Sequence, residues 1–69
     1  MSNIKERPPY QQRVLKEREE LFTKWDALRA YINGAQFSAV EPAQQALLRA
    51  QLRAMGDYLA ILDRRIAIF

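Results

Sequence analysis

The stretch Pro42-Ala-Gln-Gln-Ala-Leu-Leu-Arg-Ala-Gln-Leu-Arg-Ala-Met-Gly-Asp-Tyr-Leu-Ala-Ile-Leu-Asp-Arg-Arg-Ile-Ala-Ile-Phe69 decides the fold. Its apolar residues Leu48, Leu52, Met55, Leu59, Leu62, Ile66 and Phe69 step alternately by 4 and 3, the period with which a helix buries one face against another helix. Gly56 is the one weak helix former inside this run, and it marks a place where another helix can approach closely. A second line, Leu47, Ala50, Ala54, Ile61 and Ile68, runs along a different face. A helix with two apolar faces calls for two partners.

Working backwards, residues 10–33 contain no Gly or Pro, and Val14, Leu21, Trp25, Leu28 and Ile32 fall at helical spacing. They predict an amphipathic helix of about 36 Å, at about 1.5 Å per residue. Asn33-Gly34 predicts its end, with glycine free to turn left-handed. Residues 34–41 are the connection, in which Phe37 and Val40 are expected to plug the core. Two starts compete for the second helix: Ser38 with Glu41 as a capping box, or Glu41 followed by Pro42 in the first helical position. The second is preferred, with a short turn before it. Residues 1–9, ending in Pro8-Pro9, are expected to be a flexible arm, and 10–69 a single domain. Two long helices and a short loop make an antiparallel hairpin. The predicted class is all-α, a two-helix antiparallel hairpin that assembles into a homo-oligomeric bundle.

The composition supports assembly. A chain of 69 residues, 49% of them hydrophobic, falls below the roughly 70–80 residues at which one core becomes comfortable alone. With no Cys and no His, neither a disulfide nor the usual zinc site is available to staple it, and no metal or cofactor is expected. Phe22, Trp25 and Tyr31 on the first helix, and Ala54, Ile61 and Ile68 on the second, are therefore the expected subunit interface. No apolar run reaches the roughly 18 residues of a membrane span, which predicts a protein of the cytoplasm with no membrane partner. The net charge of +3 comes from 11 basic residues interleaved with 8 acidic ones. That mixture forms no continuous track for a nucleic-acid polymer.

Serine and threonine have no histidine base here, and no glycine-rich phosphate loop exists. Glu17, Glu19, Glu20 and Asp26 lie among Lys and Arg, with Glu20 four residues before Lys24, and read as a solvated face. The expectation is a protein that binds without catalysing. The hairpin carries Tyr10, Gln11, Gln12, Arg13, Lys16, Arg64 and Arg65 to one end. Arginine forks suit phosphate, and aromatic faces stack on bases. The competing reading is of solvated ends, with Arg64 and Arg65 complementing the helix dipole. Arg18 occupies a seam position and is expected to snorkel, pair with Asp63 or reach an anion. Arg49 and Arg53 form a mildly basic face that suits a protein partner.

The strings Tyr10-Gln-Gln-Arg-Val-Leu-Lys-Glu-Arg-Glu-Glu-Leu21, Leu28-x-x-Tyr-Ile-x-Gly34 and Arg65-Ile66-x-x-Phe69 resemble a family of small phage and prophage proteins named after a crAss-like phage product. The resemblance covers nearly all of residues 10–69 and implies a phage origin. By size and architecture the chain is similar to phage anti-CBASS and anti-Thoeris sponges, helical hairpins that assemble and hold cyclic nucleotide immune signals between subunits. Those proteins use an aromatic near the N-terminus and basic residues for phosphates, although no motif here permits a residue-by-residue transfer. The analogy implies an anti-defence protein that sequesters a cyclic di- or trinucleotide in the host cytoplasm. The alternatives are an inhibitor or adaptor of a host protein, in the manner of an anti-CRISPR, and a purely structural oligomer.

Overall fold

The computed structural model describes residues 6–69; the expected arm lies in part, at residues 1–5, outside the described residues. Two helices, α1 (Pro9–Ile32) and α2 (Pro42–Ala67), run antiparallel and are joined by a short 3-10 turn at Ala35–Ala39. The hairpin measures 47 × 17 × 16 Å, so almost every residue lies close to water. Only Val14, Ile32, Phe37, Leu59 and Leu62 are buried apolar side chains among the described residues, with Leu62 completely enclosed. Leu21, Leu28, Leu48, Leu52 and Met55 complete the seam half-buried.

Both helices start with proline at the first helical position, where a missing N–H costs nothing and the fixed φ suits the helix. Pro8 caps α1 through its carbonyl, which accepts the amides of Gln11 and Gln12. Glu41 precedes α2 without a side-chain cap, so of the two competing starts it is Pro42 that opens the helix. The Ser38 hydroxyl instead donates to the Ala35 carbonyl inside the turn.

The end of α1 differs from expectation. Gly34 has φ −83°, and no residue among those described takes a positive φ, so there is no left-handed cap. The helix ends by tightening, with the Gly34 amide on the Tyr31 carbonyl at 3.1 Å. Glycine serves close approach here: a Cβ at residue 34 would lie 3.3 Å from the Tyr31 carbonyl oxygen and 3.4 Å from that of Ala30. The loop end is then closed by Phe37, 4% exposed, against the edge of Tyr31. The Gln45 amide fastens the turn from α2 by donating to the Phe37 carbonyl (3.2 Å) and the Val40 carbonyl (2.7 Å).

Across the middle, a Cβ at Gly56 would lie 3.4 Å from the Trp25 indole nitrogen, ordinary van der Waals contact, so Trp25 stands opposite Gly56 but the helices do not approach so closely there that glycine is required. Arg18 meets Asp63 at 2.8 Å and lies over the Phe22 ring, which resolves the three options for a charge in the seam. That hydrogen bond raises the guanidinium pKa, so Arg18 stays charged at any ordinary pH. On the opposite flank the Tyr58 hydroxyl donates to Glu17. Glu20 pairs with Lys16 at 4.0 Å and not with Lys24, a correction of little energetic weight because both groups are exposed.

Candidate functional site

The free end of the hairpin is built from the first turns of α1 and the last turns of α2. Tyr10 sets its ring edge-on against Phe69 with centroids 5.9 Å apart, so the first turn of α1 touches the residues that follow α2. Tyr10, Arg65, Ile68 and Phe69 line an open depression of about 280 Å³. Gln11 donates to the Tyr10 hydroxyl at 3.1 Å and accepts from the Arg7 guanidinium at 3.4 Å. Gln12 donates to the Arg7 carbonyl at 2.6 Å. These bonds hold residues 7 and 8 over the start of α1 and orient the Tyr10 ring.

The seven residues expected to share this end do not share one face. Gln12, Arg13 and Lys16 line a separate depression of about 570 Å³ with Pro9 and Glu19. The reason is the helical rotation of about 100° per residue, which sets Arg13 about 60° and Lys16 about 120° around α1 from Tyr10, progressively away from α2. Arg64 lines a third hollow with Ile61, Arg65 and Ile68. Arg65 lines both the Tyr10 depression and the hollow beside the apolar stripe of α2. Phe69 and Ile68 belong to the site although they carry no recognition chemistry; the antiparallel register was the signal for them.

Two features distinguish the surfaces chemically. The Tyr10 depression contains a cation, a phenol and apolar side chains and no acidic side chain, so its side chains suit a flat ring bearing an anion. The Arg13 surface includes Glu19, and its neighbour along α1 is lined by Lys16, Glu19, Glu20, Thr23 and Lys24, so opposite charges offset one another. A 280 Å³ depression also falls below the roughly 300–1,000 Å³ of pockets that enclose a small ligand. The hairpin offers a wall and a base, not an enclosure.

Of the expected interface residues, Phe22, Tyr31, Ala54, Ile61 and Ile68 are exposed and Trp25 is half-buried. On α1 a continuous ladder forms: Arg18 over Phe22, Phe22 beside Trp25 at 5.8 Å, and Arg29 over Trp25 at 5.4 Å. Arg29 also binds Asp26 at 2.7 Å. Arg49 lies over Phe37 at 5.0 Å, which places one member of the expected basic face against the loop plug. No helix among the described residues is long and apolar enough to cross a membrane.

Two antiparallel helices joined by a short turn, with Tyr10 and Arg65 exposed at the free end, define a small helical-hairpin protein. The chain belongs to the Sequestin family, whose sequence model matches residues 8–68, nearly the whole of both helices. It is also 38% identical over 60 residues to an uncharacterized 7.5 kDa protein in the denB-rIIB intergenic region of Enterobacteria phage T4, a match covering 87% of this chain and 94% of that relative. A relative in a phage accords with the origin that the sequence resemblance implies, and the family's name denotes sequestration. No solved structure matches the chain.

Proposed function

We propose that this is a phage anti-defence protein that sequesters a cyclic di- or trinucleotide immune signal in the host cytoplasm, as a homo-oligomer and without catalysis. The observation that carries the reading is the Tyr10 depression, which Tyr10 and Arg65 line together with no acidic side chain among the lining residues. Tyr10 stacks on a base, Arg65 holds a phosphate, and Gln11 is placed to hydrogen-bond base or ribose. Arg13, Lys16 and Gln12 offer a second, weaker anion surface around the corner, and Arg64 borders the apolar stripe. The small size of the depression supports a site completed by a second protomer, whose burial of the ligand makes tight binding achievable without chemistry. The family name supports sequestration in general; the cyclic nucleotide is the chemistry that this end fits.

The test is calorimetry and thermal shift against a panel of cyclic di- and trinucleotides. Binding of at least one is expected, weakened about tenfold or more by Tyr10→Ala or Arg65→Ala, since base stacking and charge-assisted phosphate contacts are each worth about 1–3 kcal/mol. Absence of binding across the panel overturns the reading. A second reading, an inhibitor or adaptor of a host protein, is favoured by the Arg18, Phe22, Trp25 and Arg29 ladder, because aromatic residues and arginine dominate protein interfaces. Stoichiometric recovery of one host protein, lost in a Phe22→Ala and Trp25→Ala double variant, would support it.

A further inference from the structure

The exposed stripe of α2 contains two charges at the same alternating spacing as its apolar residues. Leu47, Ala50, Ala54, Ile61 and Ile68 step by 3 or 4 once Asp57 and Arg64 are counted between them. Leu47 is 66% exposed, Ile61 54% and Ile68 84%, a concentration of apolar side chains in water that a hairpin alone leaves uncovered. Asp57 and Arg64 belong to none of the ion pairs among the described residues.

We propose that this stripe docks on the same stripe of a second copy, antiparallel, with Ile61 at the twofold axis and Asp57 of each copy bridged to Arg64 of the partner subunit. The charges select the register. In antiparallel helix pairs, residues on one flank meet residues of the same flank, and Asp57 and Arg64 share a flank because seven residues nearly complete two turns. With Ile61 facing its own copy, Asp57 lies opposite Arg64 of the partner subunit on both sides of the axis, and Ala54, a small residue, receives Ile68. The opposite flank sets Arg65 against Tyr58, which raises no like-charge contact.

Two other arrangements fail on charge. Sliding the helices to bring Leu47 against Ile68 gains apolar overlap but sets the two Asp57 carboxylates beside each other. A parallel pair puts Asp57 beside Asp57 and Arg64 beside Arg64. Like charges confronted across an interface cost several kcal/mol, more than the gain from one further leucine contact. The inference rests on the sequestration reading only in taking the assembly to be homomeric. It assigns Arg64 to subunit contact and leaves Arg65, at the edge of the stripe, beside Tyr10.

The full-length protein is tested by sedimentation or light scattering over a concentration series. Asp57→Arg or Arg64→Asp alone should weaken self-association about tenfold or more, and the two together should restore it. Since the chain has no cysteine, Ile61→Cys should form a covalent dimer on mild oxidation and Leu47→Cys should not. Helical circular dichroism on each variant separates loss of fold from loss of pairing, and Asp57→Asn with Arg64→Gln serves if a charge swap unfolds the chain: that pair should associate more weakly than wild type yet better than either swap alone. Association with neither rescue nor an Ile61 cross-link overturns the register while leaving a shared ligand site standing. A wild type that stays monomeric at every concentration overturns both.

Discussion

The two ends of the hairpin are made from similar residues and are finished in opposite ways. At the loop end an aromatic, Phe37, is sealed beneath Tyr31 and Arg49, and the Gln45 amide satisfies two turn carbonyls. At the free end an aromatic, Tyr10, stands 53% exposed against Phe69, with Arg65 facing water beside it. The difference lies in what the backbone provides. A turn brings its own carbonyls and amides to be satisfied and so recruits side chains inward, whereas two helix ends that only meet leave theirs outward. At the loop end the aromatic is committed to packing, and at the free end, beyond the buried Val14 and Leu62, it is left in water, where the proposed ligand would meet it.

That division can be broken by experiment. Phe37→Ala should have the largest effect, about 3–5 kcal/mol from the lost burial and the cavity, enough to unfold most of so small a protein in a thermal or urea melt. Gln45→Ala should cost less, about 1–3 kcal/mol in the same melt, for leaving the Val40 carbonyl without its donor while the Phe37 carbonyl keeps the Val40 amide. Tyr10→Ala should be the mildest, about 1 kcal/mol or less for one exposed edge-to-face contact, while its ligand binding falls sharply. Equal losses of stability at Phe37 and Tyr10 would end the division between a structural and a functional end.

Most of the architecture was legible because seam spacing in a hairpin is a direct record of burial: Val14, Ile32, Leu59 and Leu62 all fall on the periods read from the chain. The Phe37 plug was legible too, being the one large apolar residue in a polar connection. What the spacing does not encode is how a helix stops. Gly34 reads as a left-handed cap, yet the same residue equally permits close packing on carbonyls, and the 3-10 turn takes the second use. The candidate site was legible as an end and not as a face. Grouping Tyr10 with Arg13 and Lys16 by proximity in sequence overlooks the helical rotation that separates them, while Arg65 reaches Tyr10 from the far end of the chain. Arg18 shows the limit from another side, since its spacing allowed three options and only the interhelical distance selects the pairing with Asp63.

The placement of Trp25 opposite Gly56 has an optical consequence. Trp25 is the one tryptophan in the chain, and its half-buried indole faces the other helix at Gly56, with a gap that a methyl group would just fill. Its emission is thus a built-in gauge of the spacing between the two helices. A ligand that docks only on the Tyr10 end should leave the spectrum in place, and one that pries the helices apart should redden it as water reaches the ring.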